Sequence, residues 1–262
     1  MSLNNMIDTE SKNSTGGKKI MNDGTGTWLL KTERFQQWVG GEEQILFCPG
    51  IPGAGKTVLS SIIIDHLEQV FPNQDEIGIA YLFCNYRQQH ALVELYSALL
   101  RQAVQRKTSI PESTRSFYQN YSLKGSRPSE GEVLGELRSV LSSCTRAFVI
   151  IDALDECRIS DGGHSVRHPF IRRLVRLQDE GFKILATSRL DQEIAVYFEG
   201  VASLEIRAST EDIQHYVDMR LGDLPLFIRK RPNLQLVIKD TITEFAKEMF
   251  LLARLYFDLL LD

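Results

Sequence analysis

Eight residues constrain this chain more than any others. "GIPGAGKT", residues 50–57, fits the pattern G-x-x-x-x-G-K-[ST]. With Gly at about 7% of residues, a chance match in a chain this long has a probability on the order of 1%. The apolar run "QILFC" (44–48) precedes it, and a helical pattern with Val58, Leu59, Ile62, Ile63 and Leu67 follows. Strand, loop and helix in direct succession is the setting in which this pattern binds phosphate. Gly53 and Gly55 let successive N–H groups turn inward toward phosphate oxygens. The helix N-terminus adds its partial positive charge. Lys56 brings an ammonium to the β and γ phosphates, and Thr57 offers a hydroxyl to Mg²⁺. Gly50, Pro52, Gly53, Ala54, Gly55, Lys56, Thr57 and Val58 are therefore the expected nucleotide contacts.

The rest of the chain sorts around this loop. Residues 1–26 are polar and read as a disordered tail. "TERFQQWVG" predicts a short helix capped by Thr32, with Phe35 and Trp38 on one face. "IGIAYLFC", "AFVIID", "FKILATS" and a weaker "VASLEI" (201–206) read as strands, the middle two buried on both faces. Helical patterns lie between them. "SEGEVLGELRSVL" opens with a capping box, Ser129 and Glu132. Residues 108–128 read as irregular, with Pro111, Gly125 and Pro128. Strands alternating with helices predict a P-loop NTPase three-layer α/β sandwich over 27–206, with a mostly parallel five-stranded sheet. After Ile206 only helical patterns remain, so 207–262 reads as a small helical subdomain.

"FVIIDALDEC" (148–157) is the second chemical signal. Four apolar residues carry Asp152 out of a buried strand, and ligands of open α/β sheets sit beyond such strand ends. An Asp there can hold Mg²⁺, and Glu156, with Asp155 before it, is placed to orient or deprotonate an attacking water. "KILATSRL" is the third. Its strand ends at Thr187, Ser188 and Arg189, where Arg189 can sense the γ phosphate or stabilise transition-state charge. Asp155, Glu156 and Arg189 are the catalytic candidates, and Thr57 and Asp152 the metal ligands.

Composition removes other classes. A net charge of −4 argues against non-specific nucleic-acid binding. No apolar run reaches the ~18 residues of a membrane span, and residues 1–10 lack a signal-peptide core. The expectation is a reduced, cytoplasmic protein whose four cysteines, Cys48, Cys84, Cys144 and Cys157, include no zinc pair. His164 and His168 are four apart, but Gly162, Gly163 and Pro169 place them in a loop without a third ligand. Arg172, Arg173 and Arg176 form a basic stripe, read as a solvated face or a subunit interface. The terminal "MFLLARLYFDLLL" is apolar nearly all round and must bury, pair with another chain or promote aggregation.

"GTGTWLL", "CPGIPGAGKTVLSS", "VIIDALDEC", "ILATSR", "DIQHYV" and "MFLLARL" occur in the order seen in NACHT domains of fungal NOD-like receptors. The chain resembles these STAND-class P-loop ATPases over about 25–262. The resemblance implies a regulatory switch that rests closed with ADP, then opens and self-associates when ATP replaces it. Similar fungal proteins act in nonself recognition and regulated cell death. They carry an effector domain and repeats, so this chain is expected to be the isolated NTPase core. It also implies weak Mg²⁺-dependent ATP hydrolysis and a place near the base for Trp28, whose alternative role is to anchor the first helix. Two departures stand out. Relatives carry a Gly where this chain has Glu248, and no winged-helix histidine is present to hold ADP.

A small-molecule or nucleoside kinase could use the same loop, and a module could bind nucleotide without hydrolysis. The acidic strand end and the helical tail favour the switch. ATP is expected over GTP because no Asn-Lys-x-Asp guanine reader is present.

Overall fold

The computed structural model describes residues 26–72, 75–161 and 164–261; the polar tail, apart from Gly26, lies outside them. Two compact units divide the chain. One comprises residues 32–50 and 60–205, the other residues 26–31, 51–59 and 206–261.

The larger unit follows the alternation read from the sequence. Its elements are α1 (Glu33–Gly40), β1 (Ile45–Pro49), most of α2 (Lys56–Val70), β2 (Ile77–Phe83), β3 (Gln89–His90), α3 (Leu92–Gln105), α4 (Glu112–Lys124), α5 (Glu130–Ser142), β4 (Arg146–Asp152), β5 (Arg158–Asp161), β6 (His164–Ser165), α6 (Arg167–Arg176), β7 (Lys183–Ser188), α7 (Gln192–Ala195) and β8 (Ala202–Ser203). Five strands form a parallel sheet in the order β2-β4-β7-β1-β8. Alternating residues of β4 serve the two faces. Val149 and Ile151 join the core that also holds residues of α3, α5 and α6. Phe148 packs on Trp38 and Phe71. Thr32 caps α1 through Phe35 N–H, and Ser129 and Glu132 form the expected capping box.

The structure corrects the sequence reading over residues 108–128 and 201–206. Residues 108–128 contain a thirteen-residue helix, α4. Pro111 is its N-cap and Gly125 closes it at φ 59°, so the proline and glycine bracket a helix instead of breaking one. The strand read over 201–206 shrinks to Ala202–Ser203, paired to β1.

In the smaller unit, residues 206–261 hold α8 (Thr210–Arg220), α9 (Leu226–Arg229), α10 (Pro232–Ala246) and α11 (Phe250–Asp258). Ser209 caps α8, accepting from Asp212 N–H at 3.0 Å. Ile213, Tyr216 and Val217 of α8 share a core with Ala246, Ala253 and Phe257. Arg220 adds a polar tie, donating to Tyr216 Oη at 2.8 Å and Asp258 Oδ1 at 2.7 Å. Its guanidinium also lies over the Phe257 ring, 4.7 Å from the centroid. The terminal helix is less buried than its composition demands: Ala253 and Phe257 turn inward, while Leu251 and Leu255 stay exposed, as does Leu259 just beyond its end. No helix among the described residues is long and apolar enough to cross a membrane.

The break between α10 and α11 explains the departure at Glu248. Lys247 (φ 46°) and Glu248 (φ 64°) are both left-handed. Glycine adopts that backbone without penalty; other residues pay about 1–3 kcal/mol. Glu248 is kept there by Ala208 N–H, which donates to its carbonyl at 3.0 Å, and by an exposed pair with Arg207. The exposed pair contributes little. Glu248→Gly is therefore expected to stabilise the chain by about 0.5–1 kcal/mol, read as a raised urea midpoint at unchanged slope. An unchanged or lowered midpoint contradicts this reading of the turn.

Candidate functional site

The acidic strand end is built from three elements of the larger unit. β4 delivers Asp152, which is almost fully buried. Its Oδ1 accepts from Ser60 Oγ of α2 at 2.8 Å and from Thr187 Oγ1 of β7 at 2.7 Å. The Thr187 hydroxyl in turn accepts from Ala153 N–H at 2.9 Å. A buried carboxylate is tolerated only with such partners. The donors also fix its rotamer, so the group is aimed before any ligand arrives. Ala153 then takes a left-handed backbone at φ 54°, which turns the chain sharply into the short 3-10 helix Leu154–Glu156. The small side chain keeps that turn affordable; a β-branched residue would be strained further.

Arg189 organises the next layer. Its backbone N–H donates to Asp155 Oδ1 at 2.9 Å, and its Nε lies 3.1 Å from Asp155 Oδ2. The same guanidinium reaches Glu156 Oε1 at 3.0 Å. The three catalytic candidates thus form one ion-pair cluster. Arg167 donates from the other side to the Asp155 carbonyl at 3.3 Å.

Beside this cluster lies a feature that sequence spacing hid. Cys84 follows β2, and its N–H donates to the Asp152 carbonyl at 3.0 Å. Its thiol hydrogen-bonds Cys157; that contact, burial and the charges of Asp152 and Asp155 push the Cys84 thiol well above its usual range. Burial alone pushes Cys48 up to about 12. Both are inert packing thiols at neutral pH.

The phosphate loop belongs to the smaller unit. Gly53 (φ 75°) and Gly55 (φ 97°) take the left-handed backbone that the loop demands. Lys56 Nζ donates to the Ile51 carbonyl at 2.9 Å, folding its ammonium across the loop. Open space faces the Cα of Gly55, whereas a Cβ on Gly53 would stand 2.6 Å from Leu251 Cβ. Leu251 N–H also donates to the Gly53 carbonyl at 3.1 Å. Pro52, Thr57 and Val58 are exposed and Ala54 is buried. Trp28, half-buried, lies in the turn before the 3-10 helix Leu29–Lys31. Gly50 follows β1, donating to the Ser188 carbonyl at 3.0 Å. The strand order sets the ends of β1, β7 and β4 side by side, the edge at which α/β sheets bind ligands.

A family model described as Nephrocystin 3, N-terminal, matches residues 24–189. The chain belongs to that family. The vegetative incompatibility protein HET-E-1 of Podospora anserina is 32% identical over 139 residues, which is 50% of this chain and 10% of that protein. Both matches support the NACHT-type fungal receptor resemblance. Among solved structures, the Aeropyrum pernix ORC1 protein in complex with DNA aligns with a TM-score of 0.53 at 15% identity, over 87% of this chain and 63% of that one. The Aeropyrum pernix ORC2 protein in its ADP form gives 0.52 at 15% identity, over 85% and 58%. A Walker-type ATPase of Pyrococcus abyssi gives 0.50 at 12% identity, over 84% and 63%. At these identities the likeness establishes the fold, that of a P-loop NTPase. The chain spans a tenth of the incompatibility protein and about three fifths of the solved chains.

Within this family frame, the residues fit nucleotide with Mg²⁺. Left-handed glycines with open space at Gly55 suit a phosphate cradle, and a pre-oriented buried carboxylate suits a hard cation. Magnesium takes few protein ligands in such sites, and among the described residues no cluster of three or more His, Cys, Asp or Glu competes for a metal. His168 and Pro169, read from sequence as loop, lie in the first turn of α6, where a proline's missing N–H costs no helical bond; His168 bonds Tyr197 Oη at 3.2 Å and faces Glu193, and the side chain of His164 lies outside the described part. Sequence reasoning missed Ser60. Its only signal was a small polar residue on the inward side of an apolar helix.

Removing the Thr187 hydroxyl strips a donor from Asp152 and leaves the Ala153 N–H buried without an acceptor. Thr187→Val is expected to destabilise the fold by about 1–3 kcal/mol in denaturant unfolding, with Thr187→Ser close to wild type. Equal stability of the valine variant contradicts the geometry.

Proposed function

We propose that this chain is an ATP- and ADP-binding regulatory switch that hydrolyses ATP slowly and controls self-association in nonself-recognition or cell-death signalling. The observation that carries this reading is the pairing of Arg189 with both Asp155 and Glu156. Here each neutralises the other. A γ phosphate competes for Arg189 and, by drawing it away, frees the acidic pair. The same ion pair then reads which nucleotide is bound and delays hydrolysis.

In this reading Gly50, Gly53, Gly55 and Lys56 hold the phosphates, Thr57 and Asp152 hold Mg²⁺, and Trp28 borders the base. Bound Mg²⁺ would supply charge neutralisation on the phosphates. Asp152 stays aimed by Ser60 and Thr187, and Glu156 orients water once released. Moving a switch from 1:99 to 99:1 needs about 5.5 kcal/mol of differential affinity, which a γ phosphate read by several charged groups can supply. The match to an incompatibility protein supports the signalling setting. We place the protein in the cytoplasm, as part of a larger receptor, with no nucleic-acid or membrane partner.

Nucleotide released by denaturing the purified protein should be ADP or ATP. Turnover with Mg²⁺ should be slow, on the order of 10⁻³ s⁻¹, as in unassisted P-loop switches. Lys56→Ala should lose binding, and Glu156→Gln should keep binding while losing hydrolysis. Absence of nucleotide binding in every form overturns the proposal.

A further inference from the structure

Two stretches of the chain carry opposite and unmixed charge beside exposed apolar side chains. Residues 224–239 hold four basic side chains, Arg229, Lys230, Arg231 and Lys239, and no acidic one. Residues 190–205 hold four acidic side chains, Asp191, Glu193, Glu199 and Glu205, and no basic one. The arginine stripe on α6 lacks this character, since Arg173 there pairs with Glu130.

The basic stretch belongs to the smaller unit. Leu224 and Ile228, four apart, are buried in its core. That leaves Leu226 and Phe227 of α9 outside, each 60% exposed, and Leu236 and Val237 of α10 are nearly as open. Gln235 Nε2 donates to the Arg229 carbonyl at 2.8 Å, tying the start of α10 to the end of α9. Arg229, Lys230 and Arg231 are exposed and make no ion pair among the described residues, whereas Lys239 is held by Asp218 at 2.6 Å. Open apolar side chains beside unpaired charge mark an association surface.

The acidic stretch belongs to the larger unit. Ile194 and Phe198, again four apart, are buried, and Phe198 stacks on Phe47 with ring centroids 4.3 Å apart. Glu193, Val196 and Glu199 recur every three residues through α7 and the 3-10 turn Val196–Phe198, so they share the outward side. All three are exposed, as is Leu190. Glu193 shares its charge with Arg167 at 3.3 Å, and among the described residues no ion pair engages Glu199.

We propose that copies of this chain associate head to tail, the basic face of one against the acidic face of the next. The inference rests on the self-association reading given above and names its surface. Each face is the charge complement of the other, and each offers apolar side chains for the other to cover. Two different faces cannot meet symmetrically, so the contact adds copies in one direction. Sixteen residues in each stretch fall short of the ~20–30 a side in a standard interface, which suits reversible association. The acidic face also begins beside the nucleotide site. Leu190 follows Arg189, and Asp191 N–H donates to the Arg189 carbonyl at 2.8 Å. A shift of Arg189 toward a γ phosphate therefore reaches the first residues of the acidic face.

The test is sedimentation velocity of the full chain with Mg²⁺ and either ADP or a non-hydrolysable ATP analogue. A basic-face variant carries Phe227→Glu and Lys230→Glu; an acidic-face variant carries Val196→Lys and Glu199→Lys. All four side chains are exposed, so unchanged melting temperatures are expected. Wild type should associate reversibly with the ATP analogue, and more weakly as salt is raised. Each variant alone should associate about tenfold more weakly or worse, because like charges then meet. An equimolar mixture of the two should recover association, since each supplies the face that the other lacks. Association that neither variant weakens, or a mixture that does not recover, overturns the proposed surface and leaves the self-association reading standing. Wild type that stays monomeric with the ATP analogue bound overturns both. Co-sedimentation with phosphatidylserine vesicles, lost in the basic-face variant while self-association is kept, assigns the basic face to a membrane and also overturns the proposal.

Discussion

One oxygen, Oδ1 of Asp152, takes hydroxyl hydrogen bonds from α2 and β7 while its own residue ends β4. Much of the larger unit serves to hold that oxygen still. The apolar run of β4 is buried to its end and delivers the carboxylate into a place where water cannot satisfy it. Ser60 and Thr187 replace the lost solvent. Thr187 then passes the constraint on, accepting from Ala153 and so fixing the left-handed turn that launches Asp155 and Glu156. Position, turn and acidic pair follow from one satisfied carboxylate.

In the proposed switch, Arg189 is the movable counterpart. Half of its side chain is exposed, so its pairs with Asp155 and Glu156 are screened and individually modest. Modest strength suits the exchange of partners that the proposed switch requires. A deeply buried pair would be too costly to open, and a fully exposed arginine would carry no information about the acidic residues. The backbone N–H bond to Asp155 remains available when the guanidinium moves, so the strand end has an anchor as well as a lever.

What could be read from sequence was what local pattern encodes. The phosphate loop, the capping box at Ser129, the buried β4 and the cap at Thr32 each depend on residues a few positions apart. Ser60 bonding Asp152 spans 92 positions, and Arg189 bonding Asp155 spans 34, so neither pairing leaves a local trace. The same holds for Cys84 and Cys157. Helix α4 escapes a local reading because Pro111 and Gly125 look like breakers and its apolar residues are divided between the core-facing Phe117 and the exposed Tyr118 and Leu123. Glu248 was noticed as a departure, but only its φ of 64° gives the reason.

The central claim is that Arg189 reports the γ phosphate by leaving the acidic pair. Hydrogen exchange of the segments holding Asp155, Glu156 and Arg189, compared with ADP and with a non-hydrolysable ATP analogue, each with Mg²⁺, tests it most directly. The account predicts faster exchange around residues 154–157 with the ATP analogue than with ADP, and no such difference in Arg189→Ala. Identical exchange in the two nucleotide states, with both shown to be bound, would contradict it.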